Sequence, residues 1–150
     1  MIIRSAKLED IESIVSLSQE LGYDPSFEGI KNKIIKFSSN EDQEIYVAEI
    51  NEVVGWIHIS LVEPLESNAF VELRGIVVNK DHRRKGIGTE LIKIAGKWGI
   101  EKGFCRIRIR TNIKRLETRE YYSRYSLTHP RINLGSIVMA PEEPPKKAAP

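Results

Sequence analysis

Apolar residues recur along the first half of the chain with two periods, one typical of helices and one typical of strands. The predicted elements are a strand over residues 2–4, helices over residues 8–21 and from residue 25 to near residues 38–40, and strands over residues 44–50 and 53–61. Gly22 can end the first helix in a left-handed conformation. Asp24-Pro25 predicts the start of the second helix, with Asp24 as the N-cap and Pro25 as the first helical residue. Asn51-Glu52 predicts a tight hairpin, although no glycine is present there.

The second half of the chain alternates between the same two periods and ends in a proline-rich tail. The predicted elements are strands over residues 70–78 and 106–110, helices over residues 87–102 and 112–125, and strands over residues 126–132 and 136–140. The complete order, β-αα-βββ-α-β-α-ββ, predicts an α/β fold with a mixed sheet and helices on both faces. Residues 141–150 contain four prolines and too little apolar surface to fold. We therefore expect one domain over residues 1–140 and a flexible tail.

The composition narrows the classes of partner and compartment. A chain of 150 residues with 41% hydrophobic and 29% charged residues is typical of a soluble protein with one core, and a net charge of +2 argues against nucleic-acid and membrane partners. Cys105 is the single cysteine, and no signal peptide or membrane-spanning run is visible, so we expect a cytoplasmic protein. His58, His82 and His129 lack neighbours at ligand spacing, so no metal site is expected.

A basic turn with two glycines separates the strand over residues 70–78 from the helix that follows it. Its sequence is Arg83-Arg84-Lys85-Gly86-Ile87-Gly88-Thr89. Glycines let the backbone approach an anion closely, and the first N–H groups of a helix have no partner within the helix. The three cationic side chains add positive charge where the helix dipole already favours anions. The turn therefore indicates a phosphate site, and the alternative is a surface turn with solvated basic residues.

The spacing of this turn matches neither of two common phosphate motifs. A P-loop would end in Gly-Lys-Ser/Thr, and a dinucleotide fingerprint would need glycine or alanine where Leu91 stands. The pattern Arg83-x-x-Gly86-x-Gly88 instead resembles the acetyl-coenzyme A motif of the GNAT (general amine N-acetyltransferase) superfamily.

Two further stretches carry this resemblance. The segment Asn112-x-x-Arg115-x-x-Thr118-x-x-Tyr121-Tyr122 is similar to the family's segment after the fifth strand, with Thr118 where alanine is common. Glu72 lies eleven residues before the first arginine of the turn, where some members carry a catalytic glutamate. Ser126-Leu127 departs from the Gly-Phe that usually begins the next strand.

The resemblance implies a largely antiparallel central sheet of six to seven strands, in which the fourth and fifth strands splay apart. The gap would hold the pantetheine arm of acetyl-coenzyme A, the co-substrate. The residues implied for cofactor binding are Ile76, Val77 and Val78 through their backbone, Arg83, Arg84, Lys85, Gly86, Ile87, Gly88 and Thr89 in the turn, and Asn112 and Tyr122.

The chemistry of amine acetylation poses two proton problems. An alkyl ammonium with a pKa near 10.4 is only about 0.1% neutral at pH 7, and a departing thiolate leaves more easily when it is protonated. The resemblance implies that Tyr122 is the general acid for the thiolate and that Glu72, through a water, is the base. The alternatives are a packed aromatic side chain for Tyr122 and a solvated strand residue for Glu72.

The resemblance thus implies an N-acetyltransferase that moves an acetyl group from acetyl-coenzyme A to a primary amine by direct attack in a ternary complex. The acceptor, a small-molecule or protein amine, would bind near the loops over residues 22–29 and 62–69, which do not identify it. A non-catalytic acyl-coenzyme A sensor or interaction module is the alternative, and a homodimer is left open.

Three arginines alternate with apolar residues in the strand over residues 106–110. Arg106, Arg108 and Arg110 are therefore expected on one solvated strand face. Together with the basic turn, they leave open a nucleic-acid-binding surface, against which the small net charge argues.

Overall fold

The computed structural model describes residues 1–104, 106–112 and 138–140. Its elements in chain order are β1 (Ile2–Ser5), α1 (Ile11–Glu20), α2 (Phe27–Ser38), β2 (Gln43–Ile50), β3 (Glu52–Val62), β4 (Phe70–Val78), α3 (Ile87–Glu101), β5 (Ile107–Asn112) and β6 (Val138–Ala140). The helix predicted after residue 112, the strand predicted over residues 126–132 and the predicted tail lie outside the described residues. Within those residues, no helix combines the length and the apolar character needed to cross a bilayer.

Six strands form one sheet in the order β1-β2-β3-β4-β5-β6. The first four strands pair antiparallel, and β5 pairs parallel with both β4 and β6. The predicted mixed, largely antiparallel sheet is therefore confirmed. The crossover from β4 to its parallel neighbour β5 runs through α3, as a parallel pair requires a long connection.

The larger core lies between the sheet and α3. This helix presents an apolar stripe at helical spacing that packs against alternate residues of the strands. The buried residues of this cluster are Ala48, Val54, Ile57, Ile59, Val71, Leu73, Ile87, Leu91, Ile92, Ala95, Trp98, Ile107 and Ile109. Because the core holds the start of α3 against the sheet, it fixes the position of the turn that precedes this helix.

Among the described residues, helices cover only part of the other face of the sheet. Ile11 and Ile14 of α1 and Ile34 of α2 form a second buried cluster with Val47 of β2. The described helices on this side lie over β2 and over parts of β3 and β4. This leaves a region of β3, β4 and β5 whose side chains are mostly polar.

The N-cap of α2 and the hairpin between β2 and β3 were both predicted from the sequence. The predicted cap of α2 is wrong: Ser26, not Asp24, is the N-cap, and its hydroxyl accepts a hydrogen bond of 2.9 Å from the N–H of Gly29. Serine wins because its short side chain reaches that N–H from an extended backbone. The hairpin between β2 and β3 is confirmed, and Asn51 adopts the left-handed conformation, with φ 61°, that glycine usually supplies.

Candidate active site

The basic turn before α3 has the backbone geometry of an anion site. Arg84 and Gly86 both lie in the left-handed region, with φ 62° and 82°. Such residues within a turn direct successive N–H groups to one side, which forms a concave anion-binding nest. The N-cap of α3 is Gly86, and no side chain of the described residues caps this helix. The first N–H groups of α3 are therefore directed toward the turn. A phosphate group placed there would meet both backbone donors and the helix dipole.

Glycine is needed at position 86 for its conformation rather than for space. A Cβ atom added there would meet no atom within 4 Å. A positive φ costs an L-residue on the order of 1–2 kcal/mol, so the strain falls on the backbone of the nest itself. The left-handed Arg84 already carries such strain, which is typical of ligand-binding turns.

The side chain of Arg83 ties the turn to the rest of the domain. Its Nε donates to the carbonyl oxygen of Val78 at 3.0 Å, and its Nη2 lies 3.4 Å from Oε2 of Glu20 at the end of α1. The N–H of Lys80 donates to the same carboxylate oxygen at 3.2 Å. Arg83 therefore positions the turn, while the cationic side chains of Arg84 and Lys85 are exposed beside the nest.

The fourth and fifth strands pair over only three register positions. Val71, Glu72 and Leu73 of β4 lie opposite Ile107, Arg108 and Ile109 of β5. Over the described residues, β4 then continues to Val78 without a further partner on this side, whereas β5 pairs with β6 from Arg110 onward. The backbone edge of residues 75–78 thus faces a gap that opens toward the basic turn.

A β-bulge at Arg74 marks the start of this gap. His58 of β3 pairs with Gly75 and Ile59 pairs with Leu73, so Arg74 is the extra residue. An extra residue reverses which side chains point to which face. Leu73 before the bulge and Ile76 after it both pack toward the α3 core. The bulge increases the local twist and directs the end of β4 away from β5.

The face of the sheet opposite α3 carries a row of polar side chains across three strands. Ser60, Glu72 and Arg108 lie opposite one another in the register of β3, β4 and β5, and residues in register share a face. His58 and Trp56 continue the same face along β3. We call Trp56, His58, Ser60, Glu72 and Arg108 the polar face.

Glu72 is the central residue of the polar face. It is only 5% exposed, so the alternative of a solvated strand residue is excluded by its burial. Nη1 of Arg74 donates to its Oε2 at 2.6 Å from the bulge. Ser60, its register partner on β3, is also buried. The predicted base is therefore a sheltered carboxylate beside the opening between β4 and β5.

Arg108 is only partly exposed, so the prediction of a solvated strand face holds only in part for this residue. Its guanidinium lies over the ring of Phe70, with Cζ 3.9 Å from the ring centroid. Its Nε is shielded from solvent and has no hydrogen-bond partner among the described residues. The ring of Phe70 is buried, which holds the cation at the sheet instead of in water.

Trp56 covers β4 just beyond the bulge. A Cβ at Gly75 would lie 3.0 Å from the indole ring, so the glycine lets the ring pack directly on the strand. The indole Nε1 is the second polar side-chain atom among the described residues that is shielded without a hydrogen-bond partner. The ring of Trp56 is partly buried and packs against the cluster formed by α1, α2 and β2.

His58 is held as a neutral side chain on the same face. Its Nε2 lies 2.7 Å from Oε1 of Gln43, and its ring stacks on Phe37 with centroids 4.9 Å apart. Burial lowers the pKa of His58 to about 4, and the positive charges of Arg74 and Lys33 act in the same direction. The ring adds no positive charge to the polar face at neutral pH.

The structure brings most of the predicted site residues to one strand and its following turn. Glu72, the backbone of residues 76–78 and the turn over residues 83–89 succeed one another along β4 and into α3. Asn112 ends β5, with its side chain outside the described part of the structure, and Tyr122 and Arg115 lie outside the described residues. Their predicted roles therefore stay predictions. No cluster of three metal-ligating side chains occurs in the described part of the chain.

Sequence reasoning missed Arg74, Ser60 and the location of Arg108. One signal was present for the bulge: Gly75 interrupts the apolar residues of β4. A glycine within a strand pattern indicates a bulge or a close approach of another group. No comparable signal places Ser60 and Arg108 beside Glu72, because that depends on the register between strands.

The arrangement can bind an extended phosphate-bearing ligand and can hold a polar reactant against it. The nest and helix end would hold phosphate, the open edge of β4 would pair with an extended chain, and Glu72 lies where that edge begins. A nucleophile bound at the polar face would meet the end of the extended ligand at the bulge.

The chain is similar in sequence to two acetyltransferases. Streptothricin acetyltransferase of Escherichia coli is 29% identical over 113 residues, which cover 75% of this chain and 63% of that protein. Streptothricin acetyltransferase A of Bacillus subtilis (strain 168) is 31% identical over 58 residues, which cover 39% of this chain and 34% of that protein. The chain thus spans less than two thirds of the length of both relatives.

A solved structure shows that the fold is shared. AAC(6′)-Iy in complex with the bisubstrate analogue CoA-S-monomethyl-acetylneamine matches with a TM-score of 0.76 at 17% identity, over 95% of this chain and 97% of that chain. The model of the acetyltransferase (GNAT) family matches residues 8–126. The chain belongs to the acetyltransferase (GNAT) family.

Proposed function

We propose that the protein is an acetyl-coenzyme A-dependent N-acetyltransferase that acetylates a primary amine in a ternary complex. The observation that carries this proposal is the succession, along one strand, of the buried Glu72, the open edge of β4 and the left-handed nest at Arg84 and Gly86. These three features match, in order, the reactive end, the pantetheine arm and the pyrophosphate of the cofactor.

The backbone does most of the cofactor binding in this proposal. N–H groups of the turn from Arg84 to Thr89 hold the pyrophosphate, with Lys85 and Arg84 supplying positive charge. The backbone of Ile76, Val77 and Val78 pairs with the pantetheine as an added strand would. Acetyl-coenzyme A supplies the thioester carbon that the amine attacks and the thiolate that departs. Asn112, at the end of β5, borders the same gap.

Two side chains transfer the protons of the ammonium and the thiolate. Glu72 accepts a proton from the attacking ammonium through a water, from a sheltered position beside the bulge. Tyr122 protonates the departing thiolate, because a phenol near pKa 10 can donate to a thiolate near pKa 8.5 with little mismatch. Arg74 orients the carboxylate of Glu72 by its hydrogen bond of 2.6 Å.

The acceptor is an amine on a small molecule. The names of two relatives, streptothricin acetyltransferases, and the neamine-derived analogue bound to AAC(6′)-Iy support this class. Identities of 29% and 31% to the two relatives, over part of their lengths, and of 17% to AAC(6′)-Iy do not carry either antibiotic over to this chain as its substrate. A protein amine, a homodimer and a cytoplasmic location stay predictions from the sequence.

The first test is thermal unfolding with acetyl-coenzyme A, coenzyme A and adenosine monophosphate as separate ligands. A ligand at about 100 times its dissociation constant should stabilise the fold by roughly 2.7 kcal/mol and raise Tm by about 5–10 °C. Both coenzyme A forms should give this rise, and the nucleotide should not. No rise with either form at millimolar concentration would refute cofactor binding and the enzymatic proposal with it.

The second test separates the enzyme from a non-catalytic acyl-coenzyme A sensor. Release of free thiol from acetyl-coenzyme A is followed with a panel of primary amines, and an enzyme should show amine-dependent release that saturates. Cofactor binding without amine-dependent release from any member of the panel would support the sensor instead.

A further inference from the structure

We propose that Glu20, at the end of α1, is a positioning residue for the cofactor: it holds the basic turn in the strained conformation that binds the pyrophosphate. This proposal rests on the proposed function, since it concerns how the same turn binds coenzyme A. It assigns a part in cofactor binding to a residue for which the family pattern in the sequence gave none.

The strain that needs support lies at Arg84. This residue has φ 62°, and a left-handed conformation costs free energy for a residue that carries a Cβ atom. Such conformations persist only where the surrounding structure holds them. A turn that relaxed to negative φ at this residue would direct its N–H groups elsewhere, and the anion-binding nest would be lost. The fraction of molecules with a formed nest therefore sets the apparent affinity for the ligand.

Contacts with Glu20 hold the chain directly before Arg84. The Oε2 atom of Glu20 accepts a hydrogen bond of 3.2 Å from the N–H of Lys80 and lies 3.4 Å from Nη2 of Arg83. Nε of Arg83 donates to the carbonyl oxygen of Val78 at 3.0 Å, so this guanidinium is held between the end of β4 and the end of α1. Because the side chain of Arg83 is held at both places, the chain has less freedom to release the strain at the next residue.

The carboxylate of Glu20 is unfavourable for its own helix. Glu20 is the last residue of α1, where the helix dipole disfavours a negative charge. The two donors that it contacts lie 60 and 63 residues further along the chain, so the turn, not α1, gains from this carboxylate. Removing the charge should relieve a local cost to α1 while it weakens the hold on the turn. A positioning role therefore predicts weaker cofactor binding with little change in the stability of the fold.

The test compares the affinity for coenzyme A among variants of α1. Glu20→Ala removes both contacts and should raise the dissociation constant about 3- to 10-fold, the range for a partly exposed ion pair with a hydrogen bond to a carboxylate. Glu20→Gln keeps an acceptor for the N–H of Lys80 and should show a smaller rise. Glu12→Ala removes a negative charge from an exposed position of the same helix and should leave the affinity unchanged. In steady-state kinetics, Glu20→Ala should raise KM for acetyl-coenzyme A by the same factor and leave kcat nearly unchanged.

Substitutions of Arg84 show whether Glu20 acts on the backbone strain. Arg84→Gly removes the side chain together with the cost of a positive φ, whereas Arg84→Ala removes the same charge and keeps that cost. Glu20→Ala should therefore lose most of its effect on the dissociation constant in the Arg84→Gly background and keep it in the Arg84→Ala background. Arg83→Met removes the guanidinium instead of the carboxylate, and its effect should depend on residue 84 in the same way. This second variant decides if Glu20→Ala does not fold.

The outcomes distinguish this proposal from the proposed function. A wild-type affinity for coenzyme A in both Glu20→Ala and Arg83→Met would overturn the role of Glu20 and leave the acetyltransferase intact. A lower Tm of Glu20→Ala with an unchanged KM would make Glu20 a structural residue only. Equal effects of Glu20→Ala in the two Arg84 backgrounds would overturn the account through backbone strain. Absence of coenzyme A binding by the wild-type protein would overturn both proposals.

Discussion

The basic turn follows the end of β4, whereas Glu72 and its neighbours on the polar face, Ser60 and Arg108, lie near the start of that strand. The two regions are built from different parts of the chain. The turn is formed by consecutive residues, and its geometry resides in the backbone of Arg84 and Gly86. The polar face is formed by side chains of three strands that the register brings together around Glu72. One region therefore depends on conformation, and the other depends on the identity of individual side chains.

This difference predicts how each region tolerates substitution. A backbone site is affected by changes that alter φ and is largely indifferent to side chains that point into solvent. A side-chain site loses its chemistry with one substitution even when the fold is unchanged. Changes in the turn should therefore alter cofactor affinity, and changes on the polar face should alter the use of the acceptor.

The largest expected effect concerns Tyr122, the proposed acid for the thiolate. Tyr122→Phe should lower kcat by about 10²–10⁴-fold and leave the affinity for coenzyme A nearly unchanged, because only the hydroxyl is lost. Tyr121→Phe is the matched control at the neighbouring position and should keep kcat near the wild-type value. Steady-state kinetics at saturating acetyl-coenzyme A give both numbers. A wild-type kcat in Tyr122→Phe would remove this residue from the mechanism.

The second largest expected effect concerns Glu72. It tests whether this residue acts on the acceptor amine and not on cofactor binding. Glu72→Gln keeps the shape of the side chain and removes its basicity, so kcat/KM for the amine should fall by about 10²-fold and its pH dependence should change. The dissociation constant of coenzyme A should stay the same. Glu52→Gln, at an exposed position at the start of β3, serves as control. An unchanged pH profile would leave solvent as the proton acceptor.

His58 should make the stability of the domain depend on pH. The unfolded chain protonates this histidine below about pH 6.5, whereas the folded chain resists protonation until about pH 4. The stabilisation from neutral His58 is thus complete above pH 6.5 and is lost as pH falls to about 4, by roughly 3 kcal/mol.

Urea unfolding at a series of pH values measures this loss of free energy. His58→Gln cannot titrate and should show a flatter dependence over the same window. An equal slope in both proteins would assign the effect to other groups.

The smallest effect, in the turn, separates cofactor binding from stability. Gly86→Ala forces a side chain into φ 82° and should destabilise the fold by about 1–2 kcal/mol. We expect it also to raise the dissociation constant of coenzyme A by about tenfold, since the nest must relax. Gly103→Ala is a matched control, because Gly103 has φ 93° with open space around it beyond the other end of α3.

Both glycine variants should lose similar stability in thermal unfolding. Only Gly86→Ala should bind coenzyme A more weakly in a direct titration. Equal affinities in the two variants would contradict a role of the turn in cofactor binding.

The sequence predicted the parts of this molecule that depend on neighbouring residues. The strands and helices of the first 104 residues follow the periods of their apolar residues. The turn from Arg83 to Thr89 is contiguous, so its chemistry can be inferred from its amino-acid sequence. Asp24-Pro25 was misleading because two residues further on Ser26 offered an equally good cap. Local competition of this kind shifts an element boundary without changing the element.

The polar face could not be predicted in the same way. Ser60, Glu72 and Arg108 are 12 and 36 residues apart and meet only through strand register. Alternation in β5 correctly placed Arg108 opposite the apolar core, but it could not show that Phe70 lies beneath the guanidinium. Periodicity defines two faces of a strand, and it does not define what each face contacts.

The bulge at Arg74 divides β4 into two segments that can change independently. Residues before it supply side chains to the polar face, and residues after it present a backbone edge whose hydrogen bonds do not depend on side-chain identity. A lineage or a designer could therefore exchange Phe70 to suit a new acceptor without rebuilding the segment that receives the cofactor. One additional residue in one strand would thus keep the donor chemistry constant while the range of substrates diversifies.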